Sequence, residues 1–131
     1  MKKALRVSPD ENGNQIGSRA GILSWSEAGR ITENTFLRTY GYPGDKMEET
    51  GEISMWGMNG RSDSFLDSSL LFYDMDTNNG QSGAPVLNPS NRMIAVHNAA
   101  YTIREGSSER TINGGPKIRR DFTNLFNQMN Q

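Results

Sequence analysis

The 131-residue chain has no cysteine and a single histidine, His97. Without cysteine there is no disulfide framework, no thiolate zinc site and no thiol nucleophile. One imidazole leaves only oxygen-rich metal sites, so neither a metal nor another cofactor is expected. Charge of one sign is also lacking: 14 Lys+Arg stand against 15 Asp+Glu, a net charge of -1. That balance gives no basic field for nucleic acid or an anionic membrane surface, and both are set aside as partners. No apolar run approaches the roughly 20 residues of a spanning helix. Lys2-Lys3 is followed by Ala-Leu-Arg-Val rather than an apolar core, so the first residues do not read as an export signal. Hydrophobic residues make up 34% of the chain, enough for one domain with a thin core.

What is present is a series of short strand signals. Residues 8–30, rich in Ser, Asn, Asp, Gly and Glu, read as loops. Beyond them, Thr35–Tyr40, Gly51–Met58, Ser69–Met75, Ala84–Asn88, Met93–Asn98 and Thr111–Ile118 read as strands separated by turn residues, which suggests an antiparallel barrel or sandwich. Phe122, Leu125, Phe126 and Met129 fall at i, i+3, i+4 and i+7, the pattern of an amphipathic helix over 120–130 packing on the sheets. Asn88-Pro89-Ser90-Asn91 has the chemistry of a type I turn between two apolar runs. Pairing symmetric about that turn sets Ser82 opposite His97, to within a residue or two.

The segment richest in chemical possibility is Asn79-Gly80-Gln81-Ser82-Gly83-Ala84-Pro85. A nucleophilic serine on a tight loop needs small neighbours, so that a scissile carbonyl can approach and backbone N–H groups can converge on its developing charge. A plain Gly/Asn turn is the competing reading. The GxSxG elbow of α/β-hydrolases should open a helix, whereas Ala84-Pro85-Val86-Leu87 continues as a strand. Gly-Tyr-Pro-Gly-Asp at 41–45 reads as a turn ending a strand, and Trp25 and Trp56 as core or barrel-rim packing. Asp74 and Asp76 read as solvated or as capping the Ser82 loop, and Arg119 and Arg120 as a solvated helix start.

Taken in order, Gly-Tyr-Pro-Gly-Asp-Lys at 41–46, Gly-Gln-Ser-Gly-Ala-Pro at 80–85, Ile-Ala-Val-His at 94–97, a last strand and a closing helix resemble the glutamyl endopeptidases, bacterial serine proteases of the chymotrypsin-like fold. The resemblance covers most of the chain. It implies an all-β fold: the antiparallel second β-barrel of the chymotrypsin-like fold with a C-terminal α-helix. Residues 1–33 would be junction and loops, 34–118 barrel and 119–131 helix. It implies Ser82 as nucleophile and the N–H groups of Gly80 and Ser82 as oxyanion hole. His97 and Thr77 would bind the substrate's Glu side chain, an imidazole N–H and a hydroxyl satisfying a carboxylate otherwise costly to desolvate. Asn98, Ala99 and Ala100 stand where the family often has an aromatic residue and glycines after the pocket histidine, which puts the preference for Glu in doubt. Gln81 stands where animal trypsin-like enzymes carry Asp, as in the bacterial branch.

The family's triad base and acid lie in its first barrel, upstream of everything matched. If Leu-Arg-Val-Ser-Pro at 5–9 is the strand after the triad Asp, that Asp falls at about Met1. The implied chain holds only the second barrel: a truncated gene, a misplaced start or half of a split product, inactive alone and possessing a partner in the missing amino-terminal barrel. Its substrate would be a peptide or protein, and its location outside the cell, as for the family. Two other readings stand beside it. His97 could itself be the base, oriented by Asp74 or Asp76; or the barrel could be a non-catalytic module binding an acidic peptide or partner chain through the cleft around His97 and Thr77.

Overall fold

The computed structural model describes residues 12, 23–29, 31–76 and 81–129. Its elements are β1 (Phe36–Gly41), α1 (Gly44–Thr50), β2 (Trp56–Arg61), β3 (Leu70–Tyr73), β4 (Pro85–Leu87), β5 (Met93–Val96), β6 (Ala99–Glu105), β7 (Ser108–Pro116) and α2 (Arg120–Met129). All pairing between the strands is antiparallel, in two sheets of order β2-β1-β4-β5 and β3-β7-β6. Two bridges join the sheets: Ser62, just past β2, meets Tyr73 of β3, and Ala95 of β5 meets Lys117, just past β7. The strands therefore close on themselves as a barrel, the expected all-β architecture, and closure leaves few open edges.

Alternation along the strands fills the interior. β1 turns Leu37, Thr39 and Gly41 inward. Leu37, Leu71, Tyr73, Met75, Val86, Ile94 and Ala95 form the central cluster. Full burial of an aliphatic side chain such as Leu37 or Ile94 contributes about 1.5–3 kcal/mol. Phe72, between Leu71 and Tyr73, points the other way and packs edge-on against Phe65 and Tyr101 in a second cluster with Ile103 and Ile112. The buried Thr39 hydroxyl donates to the Pro85 carbonyl at 2.8 Å, linking β1 to the strand that follows Ser82.

Several sequence expectations are corrected. Residues 51–55 are not strand: α1 precedes them, and β2 begins only at Trp56. The Gly-Tyr-Pro-Gly-Asp turn does end β1, but Asp45-Lys46-Met47-Glu48-Glu49 after it favours a helical turn, with Lys46 paired to Glu49 at 2.9 Å. The sequence does not announce β6, because Ala99, Ala100, Arg104 and Glu105 dilute the strand signal of Tyr101-Thr102-Ile103. The long hairpin with β7, from Ala99 opposite Gly114 to Glu105 opposite Ser108, overrides that weak propensity.

The terminal helix is where it was expected. Its apolar face, however, is half open: Phe122, Leu125, Phe126 and Met129 stay 38–43% exposed. Among the described residues its contacts are with the segment before the barrel, Phe126 lying edge-on to Trp25 and Thr123 reaching Glu27. Trp25 is held at the barrel rim by an isolated bridge to Met93. The strand suggested at 5–9 lies outside the described residues.

Candidate active site

The Ser82 loop is built by a tight turn. Ala84 donates its N–H to the Gln81 carbonyl at 2.9 Å, and Gly83 at the third position has φ +90°. That is the type II pattern, which requires a residue free to take positive φ. Gln81 is buried and anchors the turn, while Ser82 and Gly83 face solvent. Three hydrogen bonds tie the turn to the bend between β5 and β6: Gly83 N–H to the His97 carbonyl (2.8 Å), His97 N–H to the Ala84 carbonyl (2.8 Å) and Ser82 Oγ to the Asn98 carbonyl (3.3 Å). The Gly83 N–H is thus taken by the His97 carbonyl and is not free to receive an oxyanion; Gly80 and Thr77 lie outside the described residues.

The register differs from the symmetric expectation. Pro85 pairs with Val96, so Ala84 rather than Ser82 stands opposite His97. Two one-residue steps cause the difference. Asn91 adopts φ +59°, so Asn88 N–H closes the loop on the Arg92 carbonyl instead of Asn91. A bulge between Val86 and Leu87 then adds the second step.

His97 sits at the point where the chain leaves β4 as a partner and begins to pair with β7. It is buried, and no hydrogen bond joins it to Ser82. Its Nδ1 lies 2.6 Å from the hydroxyl of Tyr73, which is itself fully buried. Burial pushes the Tyr73 phenol well above its ordinary pKa and the His97 imidazole below its own, so both groups are neutral at pH 7. The arrangement in which His97 is a base oriented by Asp74 or Asp76 is not what is found. Asp74 Oδ1 accepts the Arg61 N–H, and the group behind His97 is a phenol. Asn98 is exposed, its Oδ1 accepting the Tyr101 hydroxyl at 2.6 Å; Ala99 is half-buried.

On the other side of Ser82 opens a cleft of about 460 Å³ lined by Tyr40, Gly41, Tyr42, Met55, Gln81, Ser82, Gly83, Ala84 and Pro85. Tyr40, Tyr42 and Met55 are residues that reasoning from sequence missed. Their one signal is the position of Gly41-Tyr42-Pro43 at the end of β1, which in sequence presents only the chemistry of a turn. Ser82 thus stands between an apolar cleft on the β1 side and the His97–Asn98 bend on the other.

No family model matches the chain. Among curated proteins, a glutamyl endopeptidase of Staphylococcus epidermidis is 36% identical over 106 residues, 79% of this chain and 35% of that protein. One from Staphylococcus aureus strain MW2 is 29% identical over 124 residues, 95% of this chain and 34% of that protein. A solved structure of a Glu endopeptidase in complex with MPD superposes with a TM-score of 0.76 at 36% identity, covering 90% of this chain and 52% of the other. The chain is homologous to the glutamyl endopeptidases. It spans about a third of the length of the curated relatives it matches and about half of the solved chain.

The superposition confirms the chymotrypsin-like fold with its C-terminal helix. Within that homology the surface serine, the positive-φ glycine after it and the buried histidine acquire a common context. Among the described residues no group of three His, Asp or Glu side chains converges to hold a metal, and no helix is long and apolar enough to cross a membrane.

Proposed function

We propose that the chain carries the nucleophile and the acidic-residue pocket of a secreted serine endopeptidase that works through an acyl-enzyme. Ser82 Oγ attacks the scissile carbonyl, the Ser82 and Gly80 N–H groups receive the oxyanion, and the pocket of His97 and Thr77, flanked by Asn98 and Ala99, takes a Glu or Asp before the scissile bond. The observation that carries this reading is Ser82 itself, exposed on a glycine-dependent turn beside a cleft and tied by three hydrogen bonds to the bend that holds the lone histidine. With His97 engaged by Tyr73, the base that deprotonates Ser82 comes from outside residues 1–131, on a longer polypeptide or a partner barrel. Without a base, turnover falls by about 10³-fold or more even when the oxyanion hole is intact.

The test is labelling with a serine-directed fluorophosphonate, followed by peptide mapping. Slow labelling of the 131-residue chain at Ser82, abolished in Ser82→Ala, is expected. Rapid cleavage of a Glu-containing peptide by the same chain would refute the placement of the base. The absence of any hydrogen bond between Ser82 and the only imidazole also favours a second reading, a module that binds acidic peptides without cutting them. Binding of a Glu peptide by a chain that never labels would establish it.

A further inference from the structure

The Tyr73 hydroxyl is the one polar group of β3 that reaches the barrel centre at His97, and no role in the chemistry above uses it. We propose that Tyr73 is the positioning residue of the acidic-residue pocket: its hydroxyl donates to His97 Nδ1 and fixes the imidazole as the tautomer whose Nε2–H is the donor offered to a substrate carboxylate. The inference rests on the reading of His97 as a pocket residue.

Counting protons sets the direction of the bond. Tyr73 is 0% exposed, so its hydroxyl has no access to water and must find its partner within the protein. Among the described residues that partner is His97 Nδ1, at 2.6 Å. A neutral imidazole carries one N–H, and two arrangements are available. If Nδ1 carried the proton and donated to the phenol oxygen, the phenol's own hydrogen would be buried without an acceptor. If the phenol donates, Nδ1 accepts and both groups are satisfied. Leaving a buried donor unsatisfied disfavours the first arrangement by roughly 10- to 100-fold.

Burial reinforces the choice, because it opposes both ionised forms, phenolate and imidazolium. The ring is also held from behind. The Tyr73 and His97 rings lie 5.9 Å apart, and the backbone beside His97 is pressed by β7 at Gly115. A histidine fixed in this way presents a directed donor instead of sampling two tautomers, which is how a partner on one ring nitrogen sets the function of the other.

Because His97 is the only histidine, its ring nitrogens can be read without ambiguity in a long-range proton–nitrogen NMR spectrum of the uniformly 15N-labelled chain. The expected result is a single neutral tautomer at pH 7, with Nδ1 as acceptor and Nε2 protonated. In Tyr73→Phe, which keeps the ring and removes the hydroxyl, the Nδ1–H form is expected to rise about 10-fold or more while the strand amide signals stay in place. A wild-type chain with Nδ1 protonated, or with the two tautomers mixed, overturns the proposal even if the variant fails to fold. A Phe variant that retains the wild-type tautomer overturns it as well. Adding N-acetyl-glutamate amide to the wild-type chain separates this inference from the reading beneath it. A displaced Nε2–H signal supports both; an undisturbed signal with the tautomer intact rejects the pocket, and with it the positioning role, while leaving Tyr73 as the group that fixes the His97 tautomer.

Discussion

Gly115 is the position at which the barrel is most sensitive to a single methyl group. A Cβ there would lie 2.7 Å from the Val96 carbonyl carbon and 3.1 Å from the His97 Cα, with the Val96 carbonyl oxygen nearer still. All three are backbone atoms, so no side chain can rotate away, and β5 and β7 must separate by about an ångström where His97 is held. Overpacking of this kind costs about 1–3 kcal/mol. The upper end applies here because the displaced atoms belong to paired strands, and about 3 kcal/mol is a large part of the roughly 5–15 kcal/mol that holds a domain folded. Gly83→Ala is the matched control. It has nothing within 4 Å of the added methyl but φ +90°, so its cost is backbone strain alone, about 1–2 kcal/mol. Urea denaturation followed by tryptophan fluorescence measures both. Gly115→Ala should lower the midpoint more than Gly83→Ala at an unchanged slope, and should also shift the His97 ring signals, whereas Gly83→Ala should leave them alone. A Gly115→Ala chain within a few tenths of a kcal/mol of wild type would refute the view that backbone contact between β5 and β7 sets the position of His97.

Two further outcomes probe the periphery. Asp63 takes both terminal nitrogens of Arg110, at 2.9 and 2.6 Å, and that guanidinium holds its carboxyl below the ordinary pKa. A depressed folded-state pKa stabilises above the unfolded value near 4 and is lost as pH falls through the folded one. Asp63→Asn should therefore cost about 1 kcal/mol at pH 7, tempered by the exposure of Arg110, and the gap from wild type should close on acidification below about pH 4 in parallel urea titrations. Phe126→Ala removes an edge-on contact with Trp25 from a side chain already 39% exposed, so it should cost only about 1 kcal/mol, well short of a core truncation, and should change the Trp25 emission.

Much of this molecule can be read from its sequence where the signal is local. The 3.6-residue period of Phe122, Leu125, Phe126 and Met129 gives α2, and Asn88-Pro89 gives the hairpin. The register of that hairpin is another matter. One step comes from Asn91 entering the left-handed region, and another from a bulge at Val86–Leu87 that only the curvature of the closed barrel demands. These two residues of offset turned Ser82 opposite His97 into Ala84 opposite His97. They also changed the chemical question, because a serine facing the histidine invites a base, whereas a histidine facing an alanine is free to be held from behind. The phenol that holds it comes from β3, 24 residues earlier in the chain, and no pairing rule read along the sequence would have joined the two. Tyr40, Tyr42 and Met55 were missed for a related reason: β1 and the segment after α1 meet the Ser82 turn only once the sheet has curled.

The parts of the site are consequently held by forces of different range. The turn that exposes Ser82 is fixed within four residues, by one hydrogen bond and the φ of Gly83. The His97 side depends on barrel closure, through Tyr73 on β3 and Gly115 on β7. Between them, the hydroxyl of Ser82 rests on the Asn98 carbonyl at 3.3 Å in an exposed setting. A contact of that length and exposure falls at the low end of hydrogen-bond contributions, about 0.5 kcal/mol. The hydroxyl is thus held in a defined rotamer without being committed to it, and an imidazole reaching Oγ from the solvent side would need to displace only that weak bond. The same geometry makes His97 a poor proton acceptor for Ser82. To take that proton it would have to leave the Tyr73 hydroxyl, stranding a fully buried donor at a cost of about 1–3 kcal/mol, several times what the Asn98 contact is worth.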